Sequence, residues 1–161
     1  MALTNNGSIN FPKKTICGVS VDIYSIVIPD LYDPTAIPNA WQKFWSQFPK
    51  DSSLDLSKAY GVSMPIAGSA GMLHYTAGVE VGADFQAPEE FELVTIDEGN
   101  YLELTHSGNI SALAQSYGEA YGAVFPQSGL DMREGAHLEV YDSALNPNSD
   151  EYEMGILIPV K

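Results

Sequence analysis

The sequence predicts an α+β fold assembled from one strand-helix-strand-strand pattern that occurs twice. Three observations carry this prediction. Each half opens on a strand-like run, each then shows one amphipathic helical stripe, and each closes on two short alternating runs.

In the first half, a strand begins near Lys14 in KTICGVSVDIYSI, where valine, isoleucine and threonine dominate. The segment VIPDLYDPTAIP carries Pro29, Pro34 and Pro38 and reads as a loop, with Pro38 suited to the first turn of a helix. From there Ile37, Trp41, Phe44, Trp45 and Phe48 form one apolar stripe on a short helix that ends near Pro49. KAYGVSMPI and LHYTAGVEV follow as two strands, joined by the glycine-rich AGSAG. That link lacks the spacing and lysine of a phosphate-binding loop, so it reads as a hairpin connection.

The second half repeats the order. EFELVTIDEGNYLELTHSG reads as one long strand region, bulged at Gly99. A helix through ISALAQSYGEAYGAVF has Asn109 as its cap and Ile110, Leu113, Tyr117, Tyr121 and Val124 on one stripe. Gly118 and Gly122 lie four apart inside it, which costs helix stability and points to a close neighbouring backbone or a flexible helix. AHLEVYDSA and YEMGILIPV close the half as two strands. The expectation is one domain over 1–161, with modules at about 14–82 and 90–161.

Composition narrows the function. The formal charge is −14, from 21 acidic residues against 7 basic ones, so phosphate backbones and anionic lipid are repelled and cations attracted. Direct nucleic-acid binding and membrane association are not expected. No apolar run approaches a membrane span, and MALTNNGSINFPKK lacks the apolar core of a signal peptide, which makes cytoplasmic localisation the expectation. Cys17 is the single cysteine, so no intrachain disulfide forms, and no cysteine and histidine spacing suits zinc. His74, His106 and His137 are scattered and read as surface or hydrogen-bonded residues. Ser63, Ser107, His106 and Asp142 form no triad pattern, and no Gly-x-Ser-x-Gly elbow occurs. The acidic pairs Glu89 with Glu90 and Glu151 with Glu153 read as solvated loops. No cofactor or metal is expected.

One carboxylate stands out. In HLEVYD, period-two alternation puts His137, Glu139 and Tyr141 on one strand face and Leu138 and Val140 on the other. Laying the two halves over each other sets AYGVS against HLEVY, so that Gly61 takes the place of Glu139. If the halves pair about a pseudo-twofold axis, a single acid stands near the middle opposite a position with no side chain, leaving room for a guest.

The ordered set KAYGVS, YTAGVEV, the Gly-Asn-Tyr strand ending in ELTHSG, VFPQSG, HLEVYD and GILIPVK resembles the gyrase-inhibitor-like family of small-molecule-binding domains, which includes the AraC-type effector-binding domain. The resemblance covers nearly the whole chain from about residue 14. It implies one curved antiparallel sheet with two helices and a central ligand cleft, and in multidrug-responsive members an acid deep in that cleft meets lipophilic cations among aromatic rings. Glu139 falls where the family shows a Phe-Glu-x-Tyr pattern, with Leu138 in place of the usual aromatic. Many such relatives carry a helix-turn-helix DNA reader; this chain has no room for one, which implies a stand-alone ligand-binding domain.

On that basis Glu139 is the candidate counter-ion, since a carboxylate in an apolar cleft is costly unless neutralised. The chain's nine tyrosines, six phenylalanines and two tryptophans supply rings for cation–π contact. The candidate ring contacts are Trp41 and Trp45 on the first helix, Tyr60 and Tyr75 on the first strand pair, Tyr117 on the second helix and Tyr141 beside the acid, with Met154 as an adaptable contact. Two alternatives stay open. Some members similar in fold hydrolyse reactive small molecules with a Tyr and Glu pair, which would make Glu139 a general base and Tyr75 or Tyr141 the proton donor. A protein-interaction role would use the acidic surface against a basic groove. Antiparallel edges also offer pairing to a protein partner or a homodimer, though no residue pattern demands it.

Overall fold

The computed structural model describes residues 3–26, 28–50 and 53–161. Eight antiparallel strands form one sheet, in the order β1-β6-β8-β7-β3-β4-β2-β5. They are β1 (Leu3–Phe11), β2 (Lys14–Tyr24), β3 (Lys58–Pro65), β4 (Met72–Val81), β5 (Glu92–Ile96), β6 (Gly99–Ser107), β7 (His137–Asp142) and β8 (Glu153–Val160). Helix α1 (Ala36–Gln47) follows β2. The second helix is composite: a 3-10 turn (Ile110–Ala112), α2 (Leu113–Glu119), a π-helical turn (Ala120–Val124) and a last α turn (Phe125–Gln127). The two modules are thus β2-α1-β3-β4 and β6-α2-β7-β8, joined in the middle of the sheet by β3 against β7.

Two features depart from the sequence reading. The expected long strand of 91–108 is two strands: β5 pairs with β2 on one flank, and after Asp97 and Glu98 the chain enters β6, which pairs with β1 and β8 on the other. The first strand is β1, ahead of the expected start at Lys14. Its polar sequence LTNNGSINF, with Gly7 at φ +86° and a register shift between Asn5 and Ser8, gives little local strand signal, and it is held by pairing with β6 about a hundred residues away. The two additions are counterparts. β1 leads into the first module but lies on the edge of the second, and β5 leads into the second but lies on the edge of the first.

Alternation along the strands divides the core in two. On the helix-bearing face, Cys17, Val19, Tyr75, Ala77 and Val79 pack against Phe44 of α1, while Leu102, Leu104, Ile156 and Ile158 pack beneath the second helix. On the other face the sheet curves over a core containing Phe11, Ile16, Tyr60, Val62, Ile96, Tyr101 and Leu138. The curvature closes at one end, where Phe11 pairs with Gly99 and Lys14 with Ile96. Phe44 is fully buried and stacks on Phe48 at 4.8 Å, which anchors α1; truncating such a ring to alanine costs about 3–5 kcal/mol.

The second helix is tied at its start. The Asn109 side chain accepts the Ser111 backbone N–H at 2.9 Å, and fully buried His106 bonds Ser116 Oγ at 2.6 Å. Gly118 and Gly122 meet no close backbone; an added methyl at either would point into open space. The AGSAG link is a tight hairpin turn in which Gly68 and Gly71 adopt φ of +80° and +86°. Among the described residues no helix is long and apolar enough to cross a membrane.

Candidate functional site

The two helices diverge over the centre of the sheet and leave a cavity of about 1430 Å³ between them. This exceeds the roughly 300–1,000 Å³ of ordinary ligand pockets, so it has room for a bulky guest. The floor is the β3–β7 pair, where register puts Ala59 opposite Tyr141, Gly61 opposite Glu139 and Ser63 opposite His137. All six belong to the helix-bearing face, and five of them line the cavity by side chains, with the Gly61 position left bare.

Glu139 is buried, with 7% of its surface exposed, yet among the described residues no cation lies beside it. Three phenols stand in. Tyr75 and Tyr141 donate to Oε1 at 2.9 and 2.5 Å, and Tyr117 donates to Oε2 at 2.5 Å. Trp41 Nε1 donates to the Tyr75 oxygen at 3.0 Å, extending the chain of bonds to the cavity wall. Both carboxylate oxygens accept and none donates, the arrangement a carboxylate anion demands. Burial first, and then the Glu139 charge, push the hydroxyls of Tyr75, Tyr117 and Tyr141 well above the ordinary tyrosine range, so they stay donors.

The walls are aromatic. On α1, Trp41 and Trp45 stack at 6.3 Å with planes 21° apart, and Trp41 meets Tyr141 edge-on at 5.2 Å. On the second helix Tyr117 and Tyr121 stack at 6.2 Å, 14° apart. Tyr121 also shares a 2.6 Å hydrogen bond with His137 Nδ1. Burial, and secondarily the Arg133 charge, pull His137 down to about 4, so its ring is neutral.

The structure brings Glu139, Tyr141, Tyr75, Tyr117, Trp41 and Trp45 to this cavity. It places the other two candidates elsewhere. Tyr60 is on the opposite face, buried in the core there with Val62 and Leu138, because its neighbour Gly61 faces the cavity and successive strand residues point to opposite faces. Met154 is buried beneath the second helix with Leu104 and Ile158 and does not reach the cavity. Beyond these six, the cavity lining includes Tyr32, Tyr121, His137, Tyr152 and Ser63. Tyr121 follows Tyr117 by one helical turn, and His137 shares the strand face of Glu139, so both were signalled by spacing; Tyr32 sits in a proline-rich loop whose course no periodicity reveals.

A cavity of this size, walled by stacked rings and floored by a carboxylate held by neutral donors, is a receptacle for a small organic molecule. The GyrI-like small molecule binding domain model matches residues 24–161, and the chain belongs to that family. It is 26% identical over 132 residues to the transcriptional regulator BrlR of Pseudomonas aeruginosa, an alignment covering 77% of this chain and 46% of that protein; the chain therefore spans about half the length of this curated relative. Among solved structures it is similar to the integron cassette protein VCH_CASS2 from Vibrio cholerae, with TM-score 0.71, 19% identity and 99% of each chain covered. It is also similar to SAV2435, solved bound to tetraphenylphosphonium, with TM-score 0.73, 17% identity and coverage of 100% of this chain and 94% of the other. These structural neighbours share the fold.

Proposed function

We propose that the protein captures bulky hydrophobic cations in the central cavity, with Glu139 as counter-ion and the rings of Trp41, Trp45, Tyr75, Tyr117 and Tyr141 as the cage. The observation that carries this reading is the buried carboxylate with three hydroxyl donors and no cation partner among the described residues. A lipophilic cation sheds little hydration on entry and gains both a full charge interaction and ring faces. The strongly acidic surface raises the local concentration of cations and disfavours nucleic acid. The tetraphenylphosphonium bound by SAV2435 is a ligand of this chemistry. Capture is a non-enzymatic act that serves sensing, buffering or sequestration in the cytoplasm, and the kinship with BrlR supports a link to sensing.

The experiment is calorimetric titration with tetraphenylphosphonium and with a neutral tetra-aryl counterpart, on the native protein and on Glu139→Gln. The reading expects the cation to bind and the substitution to weaken it by at least tenfold while sparing the neutral compound. Equal binding of both compounds, or a cation affinity indifferent to the substitution, would overturn it.

Hydrolysis is the second reading, favoured by the convergence of the Tyr75 and Tyr141 hydroxyls on one oxygen of Glu139. It requires the carboxylate to release a hydroxyl partner and engage water. Turnover of strained or activated esters and ring systems that disappears in Glu139→Gln would establish it in place of capture.

A further inference from the structure

The floor of the cavity changes character on either side of Glu139. Toward one end the strand-face pair is Ala59 with Tyr141, small and aromatic; toward the other it is Ser63 with His137, both polar. Side chains two residues apart on a strand lie about 6.6–6.8 Å apart along it, and cross-strand partners lie about 5 Å apart at Cβ. Ser63 and His137 therefore form a polar pair one repeat from the acid, on the cavity floor.

Each keeps one polar atom open to a ligand. Tyr121 occupies His137 Nδ1 at 2.6 Å and fixes the ring, which leaves the other nitrogen. Among the described residues no protein group bonds that nitrogen or Ser63 Oγ, and neither atom is sealed from solvent. The cavity floor thus holds an oriented imidazole and a hydroxyl, side by side, in a wall that is otherwise mostly apolar.

We propose that Ser63 and His137 form a second, uncharged subsite, and that the preferred ligands are two-headed: a lipophilic cation carrying a neutral hydrogen-bonding group, such as a hydroxyl, ether or carbonyl, about 7 Å from the charge. The proposal rests on the cation-capture reading for its first head. Tyr121 acts as a positioning residue by holding the imidazole. The neutrality of His137, whose ring burial pulls down to about 4, suits it to an uncharged partner and keeps it from repelling the cation next door. Serine and histidine each donate or accept, so either polarity of group is served.

The test compares tetraphenylphosphonium with (4-hydroxyphenyl)triphenylphosphonium, which differ by one hydroxyl. The native protein should bind the hydroxylated cation about five- to tenfold more tightly, the worth of one well-placed hydrogen bond. The ratio of the two affinities should fall toward one in His137→Leu and in Ser63→Ala, and shrink in Tyr121→Phe. Ser63→Ala removes only a hydroxyl and keeps the test available if the histidine variant folds poorly. A native ratio near one, or a ratio that survives both substitutions, overturns the subsite. The neutral (4-hydroxyphenyl)triphenylmethane separates the two readings. If it binds as well as its phosphonium counterpart and loses affinity in Ser63→Ala, the subsite stands and cation capture fails. If no probe binds, both fall.

Discussion

Gly61 stands directly across the sheet from Glu139, and the local twofold axis of the two modules passes through this pair. The flanking pairs show it: Tyr60 opposes Val140 and Val62 opposes Leu138, each the counterpart of the other under the superposition of the halves. A methyl group at position 61 would lie 2.5 Å from both Glu139 Oε1 and the Tyr75 oxygen. Gly61→Ala must therefore displace the carboxylate or its donor. It is expected to cost about 1–3 kcal/mol of stability, the range for overpacking, and to weaken tetraphenylphosphonium binding by at least tenfold. Chemical denaturation and calorimetry on the same sample check both halves of the statement.

Tyr75→Phe removes one donor to Glu139 and orphans Trp41 Nε1 at once. Two polar atoms then lose a partner in a buried place, for an expected loss of about 1–3 kcal/mol in urea unfolding. Because Tyr75, Tyr117 and Tyr141 are all pushed above the ordinary range, absorbance titration should show these three phenols ionising only as the protein unfolds at high pH. Three extra phenols titrating with the native fold intact would contradict the bonding described.

Two histidines give the stability curve opposite slopes. His137 is held down at about 4 against an ordinary 6.5, so the unfolded chain binds more protons between those values; stability rises with pH across that window, by up to about 3 kcal/mol. His74 lies between Glu92 and Asp22, each bonded at 2.6 Å, and those bonds, Glu92 first, raise it above 6.5. Its contribution is complete below 6.5 and fades as pH rises through its folded value. Melting temperature should therefore peak near pH 6.5, His137→Leu should flatten the acid side, and His74→Gln should flatten the alkaline side.

Trp41 and Trp45 are the chain's only tryptophans, and both line the cavity. Binding of an aryl phosphonium should change the intrinsic fluorescence, a direct readout of occupancy. Trp45 is 42% exposed, so Trp45→Ala should change stability by less than about 1 kcal/mol while weakening that ligand several-fold. A variant that loses stability but keeps full affinity would remove Trp45 from the cage.

What the sequence revealed and concealed follows from range. The duplicated pattern, the two helical stripes and the placing of Gly61 against Glu139 rest on local periodicity and on comparing the halves, and all three are legible. β1 and the break that turns 91–108 into two strands on opposite flanks are not, because β1 is polar and the partners of β1 and β5 are remote in sequence. Tyr60 fell to a parity slip: once Gly61 is matched to Glu139, position 60 must point away. Which of many rings face the cavity and which fill the core depends on how the helices splay, and periodicity does not encode that.

The exchange of β1 and β5 between the modules bears on how such a site can arise. Each half lends a strand to the other, so a half-length chain would leave an edge of its own sheet unfilled and would complete it only by embracing a second copy. In such a symmetric pair, whatever stands at the central position stands there twice: two acids in mutual repulsion, or two glycines and no charge. Joining the halves in one polypeptide lifts that restriction, and a single negative charge beside an empty place becomes possible only in the fused chain.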